Sequence, residues 1–345
     1  MQIRNNELVT LSASSLTSTP AFTRTLAVSS DSDLDSELGI GAPIIDSLHC
    51  DELDQQRLTL NVLRLDQIHP TLGGNKWFKL KHNIANIRQQ GATRILSFGG
   101  AYSNHIRALA ALGKLLNIET IGIIRGELSK PLNPVLAFAR QQGMTLLGIE
   151  RSLYRKKEEA EFLKGLKRHF GAFHLLPEGG SNALAVGGCV ELAKHLQGLP
   201  LRMPDFVMLP CGTGATMAGL IRGIGDLEGD KPQVLGVSVL KGRGYLEDRV
   251  RSWLPARTHA VIPQWQVLED FHCGGYARLS PQLASFLQWF ETISDLPLEP
   301  VYTGKLFYAL FQLVAAGYFP RGAEILLIHT GGVHRCSGGA SSPAA

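Results

Sequence analysis

Short apolar segments that end in glycine turns and lead into amphipathic helices recur along this chain of 345 residues. The clearest case is "TRILSFGG" at 93–100, a strand pattern whose glycines precede a helical pattern at 103–117. The same order returns at 205–225, and the strand pattern "AEILLIHTGG" at 323–332 again ends in glycines. Strands that alternate with helices in this way predict right-handed βαβ units on parallel sheets.

The chain length and these units together predict an α/β protein with two open, mostly parallel twisted sheets flanked by helices. A chain of 345 residues is long for a single hydrophobic core, so we expect two lobes with a cleft between them. Ligands of open α/β sheets bind outside the carboxyl ends of the strands. The glycine turns that end the strands are therefore the candidate sites.

Composition and charge argue against several classes of partner. The formal net charge is only +4, which disfavours nucleic acid as the main partner. The five cysteines are scattered without paired spacing, so we expect neither a disulfide framework nor a zinc site, and a reducing cytosol fits. No apolar run reaches the ~18 residues that a membrane helix needs. We therefore predict a cytoplasmic protein without a membrane or metal partner.

The two ends of the chain are predicted to lie outside the fold. Residues 1–38 are rich in Ser and Thr and include the acidic run "DSDLDSE" at 31–37, which fits neither a signal peptide nor a transit peptide. This composition is typical of a disordered extension. Residues 339–345, "GASSPAA", are predicted to be a flexible tail.

The turn "PCGTGATMAG" at 210–219 follows a strand and opens a helix. Its glycines allow a ligand to approach the backbone closely, and the N–H groups and threonine hydroxyls at the positive end of the helix suit a phosphate. Neither the triphosphate nor the dinucleotide spacing is present, so a single phosphate is favoured. The alternative is a glycine turn that only packs helix on strand.

Three further glycine turns carry polar residues. "SFGGAYSNHIR" at 97–107 places Ser103, Asn104 and His105 at a helix start, where N–H groups and side-chain donors suit a carboxylate. "PEGGSN" at 177–182 has the same design, or is only a connection between the lobes. In "HTGG" at 329–332, His329 is either an interior histidine or a ligand.

The stretch "GGNKWFKLKHNI" at 73–84 contains three lysines, and either all lie on a solvated helix face or one serves chemistry. Lys76, directly after the glycines and Asn75, is the candidate for chemistry, whereas we expect Lys79 and Lys81 on the helix surface. A lysine amine, a phosphate cradle and a carboxylate-binding helix start are what a pyridoxal 5′-phosphate enzyme needs to act on an amino acid.

Six motifs in order now identify a family resemblance. From about residue 40 to 336 the chain resembles the pyridoxal-phosphate enzymes of fold type II, the tryptophan-synthase-β type. Within that family it is most similar to the group of 1-aminocyclopropane-1-carboxylate deaminase and D-cysteine desulfhydrase. The motifs that carry the resemblance are "GGNKWFKL", "SFGGAYSNH", "PEGGSN", "CGTGATMAG", "PVYTGK" and "HTGG".

The resemblance implies roles for individual residues. Lys76 matches the lysine that forms the Schiff base and moves the α-proton, and Asn75 matches the residue that hydrogen-bonds the phenolic oxygen of the cofactor. Ser103 and Asn104 match residues that hold the substrate carboxylate, and His105 stands where the deaminases often have glutamine.

The later motifs supply the remaining predicted site residues. Tyr276, in the further stretch "GGYAR", and Tyr302, in "PVYTGK", match two active-site tyrosines and are candidate proton donors. Thr303 is predicted to contact the cofactor beside its ring nitrogen. The phosphate loop is predicted to consist of Gly212, Thr213, Gly214, Ala215 and Thr216.

Thr303 also bears on the reaction. Ring-opening deaminases resemble "PVYEGK", with a glutamate where this chain has threonine, and a hydroxyl supports a protonated ring nitrogen less than a carboxylate does. The resemblance therefore favours α,β-elimination on a small amino acid, D-cysteine desulfhydrase-like, which gives pyruvate, ammonia and the leaving group. Alternatives are 1-aminocyclopropane-1-carboxylate deamination to 2-oxobutanoate, a catalytically inactive protein of the same fold, and a nucleotide- or phosphosugar-binding protein.

The resemblance also implies an organisation for the chain. We expect a large cofactor-binding domain formed by residues 39–79 and 184–338 and a smaller α/β domain formed by residues 80–183. The family further implies a homodimer. Residue types alone leave the handedness of the substrate open.

Overall fold

A computed structural model describes residues 31–197, 202–254 and 262–332 of the chain. In these ranges the strands are β1 Ile44–Leu48, β2 Thr59–Arg64, β3 Arg94–Gly99, β4 Glu119–Arg125, β5 Thr145–Ile149, β6 His174–Leu176, β7 Phe206–Cys211, β8 Gln233–Ser238, β9 Trp265–Leu268 and β10 Glu324–His329. They form two sheets. The larger has the order β1-β2-β10-β7-β8-β9 and the smaller the order β5-β4-β3-β6.

The described helices are α1 Asp31–Leu38, α2 Asp51–Asp54, α3 Asn75–Gln89, α4 Asn104–Leu116, α5 Pro134–Gln141, α6 Arg151–Tyr154, α7 Ala160–Phe170, α8 Ala183–Val190, α9 Lys194–Gln197, α10 Ala215–Gly225, α11 Tyr245–Trp253, α12 Pro281–Ile293 and α13 Thr303–Ala315. Short 3₁₀ turns lie at Leu65–Gln67, Glu178–Gly180 and Glu191–Ala193. No helix among the described residues is long and apolar enough to cross a membrane.

Both sheets are parallel, except that β1 pairs antiparallel with β2 at the edge of the larger one. The predicted fold class, two mainly parallel sheets flanked by helices, is therefore confirmed. Parallel strands need crossover connections, and the helices between successive strands provide them. β2, β7 and β10 illustrate the pattern of a sheet covered on both faces, because nearly all their residues are buried.

A shared apolar core lies between the two sheets. It combines residues of the smaller sheet, such as Ile95, with residues of the larger, such as Val207, and with Leu80, Leu109 and Leu220 of the intervening helices α3, α4 and α10. A second cluster, rich in phenylalanine, packs α12 and α13 on the outer face of the larger sheet. A third packs α7 on the outer face of the smaller sheet.

The strands of the smaller sheet all fall between residues 94 and 176, inside the range predicted for the smaller domain. Helix α3 runs across the predicted boundary at residues 79 and 80. The domain boundaries themselves remain predictions, because the core that joins the two sheets is continuous.

The predicted disordered extension is wrong for residues 31–38, which form helix α1. Leu34 is 1% exposed and packs in the shared core, and Asp35 accepts a hydrogen bond from Trp77 Nε1 over 2.8 Å. Burial of apolar side chains thus outweighs the polar composition of this segment. Residues 1–30 and the predicted tail at 339–345 lie outside the described residues.

Candidate active site

A cavity of about 230 Å³ opens at the carboxyl ends of strands from both sheets. Residues that follow β3, β7 and β10 line it, together with Arg125 at the end of β4. The first turn of α3 closes its floor with Asn75, Lys76 and Lys79. The glycine turns singled out by the sequence therefore meet in one place, as strand ends in open α/β sheets do.

Lys76 is positioned by the glycines before it. Gly74 precedes α3 with φ 107° and ψ 179°, a backbone conformation that is essentially limited to glycine. A Cβ on Gly74 would stand 2.4 Å from the backbone oxygen of Thr330, and the next residue, Asn75, donates its N–H to that oxygen over 3.2 Å. The start of α3 is thus seated directly on the last glycine turn of the larger sheet.

The Lys76 amine donates a hydrogen bond to Asn75 Oδ1 over 2.8 Å and lies 5.8 Å from the centre of the Tyr302 ring. Burial disfavours its charged form and lowers its pKa to about 8. Near neutral pH, a much larger share of Lys76 is therefore in the neutral amine form than for an ordinary lysine. Such an amine can act as a nucleophile or as a general base.

The turn after β7 forms the predicted phosphate loop. Gly212, Thr213, Gly214 and Thr216 line the cavity, whereas the side chain of Ala215 is fully buried. Gly214 has φ 82° and sits just before α10, so the free N–H groups of that helix start face the loop.

Lys79 is a site residue rather than a surface lysine, so the expectation for it is wrong. It is 1% exposed, lines the cavity and donates to Gly179 O, to Ser181 Oγ over 2.7 Å and to Thr213 Oγ1 over 3.3 Å. Burial and the nearby Lys76 lower its pKa to about 7. The turns at 177–182 and 212–216 therefore enclose a second amine, whose hydrogen-bond partners are all uncharged.

Lys81 is also buried, which corrects the second surface expectation. Its ammonium bridges Glu191 Oε2 at 2.9 Å and Asp35 Oδ2 at 3.1 Å, away from the cavity. Helix α3 is covered by α1 on one side and by α8 on another, so its lysines point into protein. The polar residues of the stretch at 73–84 gave no indication that α1 and α8 pack on this helix.

The turn after β3 presents the predicted carboxylate-binding residues. Ser103 is the N-cap of α4, where its hydroxyl accepts from Ile106 N over 3.3 Å, and both Ser103 and Asn104 line the cavity. A hydroxyl that accepts this bond still has its proton to donate. The helix start can therefore offer both side-chain and N–H donors to a carboxylate.

His105 lines the same cavity but is committed to an internal hydrogen bond. Its Nε2 lies 2.8 Å from Ser97 Oγ, and the Ser97 hydroxyl donates to Leu176 O over 2.8 Å, so Nε2 is the nitrogen that carries the proton. Burial, Lys79 and Lys76 hold the pKa of His105 well below its usual range. His105 is therefore a neutral side chain, and its contact with a substrate stays a prediction.

Tyr276 and Tyr302 lie next to each other in the wall of the cavity. Their rings meet edge to face with centroids 6.1 Å apart, and both line the cavity. The backbone N–H of Tyr302 donates to Glu299 Oε1 over 2.7 Å, which anchors the start of α13. Burial raises the pKa of both phenols, so each remains a proton donor at neutral pH.

Thr303 does not reach the cavity, which corrects its predicted contact with the cofactor. Its side chain is fully buried in the first turn of α13, and Oγ1 accepts from Glu299 N over 3.0 Å. Thr330, in the "HTGG" turn at 329–332, lines the cavity instead. His329 is an interior histidine, with Nδ1 3.0 Å from Asp66 Oδ1 and Nε2 donating to Pro297 O over 2.9 Å.

Two charged residues of the cavity were also missed. Arg125 ends β4 and Glu178 belongs to the turn after β6. The order of strands in the smaller sheet places both at the same edge as the turn after β3. The end of the strand pattern "TIGIIRG" at 120–126 was a signal that could have identified Arg125.

Within the described residues, no group of three or more His, Cys, Asp or Glu could hold a metal ion.

Comparisons with known proteins identify the family of the chain. The family model described as "Pyridoxal-phosphate dependent enzyme" matches residues 39–331. The chain is 29% identical over 283 residues to the Arabidopsis thaliana bifunctional D-cysteine desulfhydrase/1-aminocyclopropane-1-carboxylate deaminase, mitochondrial, across 76% of this chain and 69% of that protein. It is 25% identical over 287 residues to a Klebsiella pneumoniae D-cysteine desulfhydrase, across 79% and 86% of the two chains.

A solved structure described as that of an ACC deaminase homologue shares the fold, with a TM-score of 0.73 and 24% sequence identity over 86% of this chain and 91% of the other. The predicted cofactor and family are thus confirmed. The chain belongs to the pyridoxal-phosphate-dependent enzymes of fold type II, in the group of the 1-aminocyclopropane-1-carboxylate deaminases and D-cysteine desulfhydrases.

Proposed function

We propose that the protein catalyses α,β-elimination on a small amino acid and releases pyruvate, ammonia and the β-substituent. The observation that carries the proposal is the placement of three chemical functions around one cavity. These are the Lys76 amine, the loop at 212–216 with the buried Lys79, and the carboxylate-binding start of α4 at Ser103.

The residues of the cavity fit pyridoxal phosphate. Lys79 is buried with only uncharged hydrogen-bond partners, and a buried ammonium is stable only when an anion or good hydrogen bonds compensate it. A phosphate on the loop at 212–216 would supply that anion, with Thr213 joining Lys79 to the loop. Asn75 is hydrogen-bonded both to Thr216 of this loop and to Lys76. Lys76 and Asn75 would therefore hold the reactive end of the cofactor.

Pyridoxal phosphate, when bound, supplies an aldehyde for covalent attachment to amines and an electron sink that stabilises negative charge at Cα. The protein's own residues supply the remaining functions. Ser103 and Asn104 orient the substrate through its carboxylate, and Lys76, with its pKa lowered to about 8, removes the α-proton. Tyr302, whose ring centre lies 5.8 Å from Lys76 Nζ, donates a proton to the departing β-substituent.

The cavity favours elimination over ring opening. Thr330, rather than Thr303, is the hydroxyl available to a cofactor ring nitrogen. Among the described residues that line the cavity, the carboxylate belongs to Glu178, which lies on the side of Tyr154. A hydroxyl keeps a pyridine nitrogen protonated less effectively than a carboxylate does. A substrate with an acidic α-proton and a good β-leaving group requires less stabilisation of negative charge by the cofactor ring.

A second candidate is deamination of 1-aminocyclopropane-1-carboxylate, because the Arabidopsis relative is named for both activities. A substrate panel distinguishes the two. The purified, cofactor-loaded protein is assayed with D-cysteine, L-cysteine, L-serine and the cyclopropane amino acid, and pyruvate and 2-oxobutanoate are measured. We expect pyruvate from D-cysteine as the largest signal. Faster release of 2-oxobutanoate from the cyclopropane substrate would favour the deaminase, and no turnover by a protein that binds the cofactor would favour an inactive binding protein.

We also propose that the protein is a cytoplasmic homodimer, which the family resemblance supports. Sedimentation analysis of the loaded protein measures its mass directly. A mass twice that of the 37.5 kDa chain is expected, and a mass equal to one chain would contradict the proposal.

A further inference from the structure

The rim of the cavity carries an arginine that the elimination chemistry described above does not use. Arg125 is exposed at the end of β4, and its guanidinium lines the cavity. A Cβ on Gly100 would lie 3.5 Å from Arg125 Nη2, so the guanidinium stands directly over the turn that binds the substrate carboxylate. Arg125 is therefore within reach of a molecule held in that turn.

Two aromatic rings set the position of this guanidinium. Arg125 Cζ lies 5.8 Å from the ring centre of Tyr154 and 5.8 Å from that of Tyr276. Such contacts orient a cation without using its N–H groups. Within the described residues the guanidinium has neither an ion pair nor a hydrogen bond, so its N–H groups remain available.

The neighbouring charges leave the rim positive. Glu178 is the nearby carboxylate, and its Oε2 lies 3.5 Å from Lys157 Nζ. The charges of Glu178 and Lys157 offset each other, whereas no carboxylate pairs with Arg125 among the described residues. Deeper in the cavity, Lys76 and Lys79 add further amines. Arg125 is thus a preorganised cation at the mouth of a cavity that attracts anions.

The different depths of Ser103 and Arg125 in the cavity indicate which anionic group of the substrate Arg125 would contact. Ser103, which holds the α-carboxylate in the proposed function, is only 7% exposed, whereas Arg125 is exposed at the rim. A substrate bound at its α-carboxylate and α-amine would extend its β-substituent from this depth toward the opening. The distal end of the substrate is therefore the part that Arg125 meets.

We propose that Arg125 is a specificity-determining residue that binds an anionic group, such as a sulfate, phosphate or carboxylate, on the β-substituent of the amino-acid substrate. This inference rests on the proposed elimination at the same site. With serine O-sulfate, Lys76 takes the α-proton, the bond from Cβ to oxygen breaks, and its electron pair leaves on sulfate. Water is then consumed, so that serine O-sulfate and water yield pyruvate, ammonium, sulfate and a proton.

The test compares two substrates with the same amino-acid head and good leaving groups, serine O-sulfate and β-chloroalanine, each in both enantiomers. The ratio of their kcat/KM values is measured for wild type and for R125Q, R125K and R140Q, where Arg140 is an exposed arginine outside the cavity. A charged hydrogen bond is worth about 1.5–3 kcal/mol, so R125Q should lower the ratio of sulfate ester to chloride by about 10-fold or more. R125K should lower it less, and R140Q should leave it unchanged.

A binding measurement keeps the inference separate from the proposed function. Aspartate and alanine, which lack a good leaving group, are titrated into the loaded protein, and the cofactor absorbance reports binding. We expect R125Q to weaken aspartate about 10-fold more than alanine, and added salt to reduce the preference because the site is exposed. If R125Q shows this selective loss of aspartate binding but no substrate is turned over, the role of Arg125 is supported and the proposed elimination activity is rejected. Equal losses for both ligands, or no loss, would overturn the inference.

Discussion

The side chain of Asn75 joins the candidate base to the phosphate loop, because its Nδ2 donates to Thr216 Oγ1 over 2.9 Å while its Oδ1 accepts from Lys76 Nζ over 2.8 Å. The two bonded residues Asn75 and Thr216 come from α3 and α10, 141 positions apart in the chain. Closure of the fold thus sets the distance between the amine and the loop.

The first prediction concerns the amine itself. K76A should abolish the visible absorption that arises when the cofactor is attached to the protein, and should lower pyruvate release by at least about 10²–10⁴-fold, since it removes both the attachment point and the base. Absorption spectra and turnover measure these effects. K114A, at an exposed lysine of α4, is the matched control. Wild-type absorption and turnover in K76A would show that another group performs these roles.

The second prediction concerns Lys79. K79M keeps an apolar stem of similar length but removes the buried charge, so the affinity for pyridoxal phosphate should fall about 10- to 100-fold. Because the pKa of Lys79 is lowered to about 7, phosphate binding by cofactor-free protein should weaken as the pH rises through about 7 and the ammonium loses its proton. Equilibrium titration of the cofactor and of inorganic phosphate measures both effects. An unchanged affinity in K79M would assign the phosphate to the loop backbone alone.

The third prediction concerns the glycine that seats α3. G74A should cost more than about 2 kcal/mol of unfolding free energy, because the new Cβ would stand 2.4 Å from Thr330 O in a backbone region unfavourable for alanine. Gly91 has φ 65° with open space around it, so G91A should cost only about 1–2 kcal/mol. Urea unfolding of the two variants compares them. Equal costs would mean that the contact with Thr330 is not limiting.

The fourth prediction concerns acid stability. Burial by itself would raise the pKa of Glu191, but hydrogen bonds from His82 and Lys81 outweigh it and lower the pKa to about 2. The stability that Glu191 contributes is therefore present above its ordinary pKa near 4.5 and is lost as the pH falls toward 2.

E191Q should accordingly cost about 1–3 kcal/mol near pH 7 and progressively less as the pH falls below about 4.5. Urea unfolding at several pH values, with the wild type in parallel, measures the difference. Glu161, an exposed residue that pairs with Lys164 three positions later, provides the matched control E161Q, which should have little effect at any pH. A constant difference between E191Q and wild type over the whole range would contradict the ion-pair interpretation.

The fifth prediction concerns the proton donor. Y302F should lower kcat for a substrate whose leaving group needs protonation by about 10²-fold or more, and should affect a chloride leaving group much less. Y276F separates the two tyrosines, since the Tyr302 ring centre lies 5.8 Å from Lys76 Nζ, whereas the Tyr276 ring centre lies 5.8 Å from Arg125 Cζ. Steady-state kinetics of both variants with D-cysteine and β-chloro-D-alanine measures the contrast. Equal losses on both substrates would indicate a role in packing.

The order of strands, glycine turns and helices was readable from the sequence, because each depends on interactions between residues close in the chain. The apolar periods predicted the parallel sheets, and the sequence placed Ser103 and Asn104 at a helix start, where the structure shows Ser103 to be the N-cap. The glycine turn after a strand pattern indicated the loop at 212–216, and the resemblance to the fold type II enzymes implied the roles of Lys76 and Asn75.

Only the tertiary structure decided what covers each element. The prediction that Lys79 and Lys81 lie on the surface is wrong because a helix pattern does not show what packs on its polar side. Leu34 likewise becomes buried only when α1 packs on α3. Thr330 rather than Thr303 lines the cavity for a similar reason, because the Thr303 hydroxyl accepts from Glu299 N in the loop before α13. Arg125 and Glu178 enter the site through the strand order of the smaller sheet. Burial and contacts between residues distant in the sequence exist only in the folded chain, and they bring the separate motifs together around one cavity.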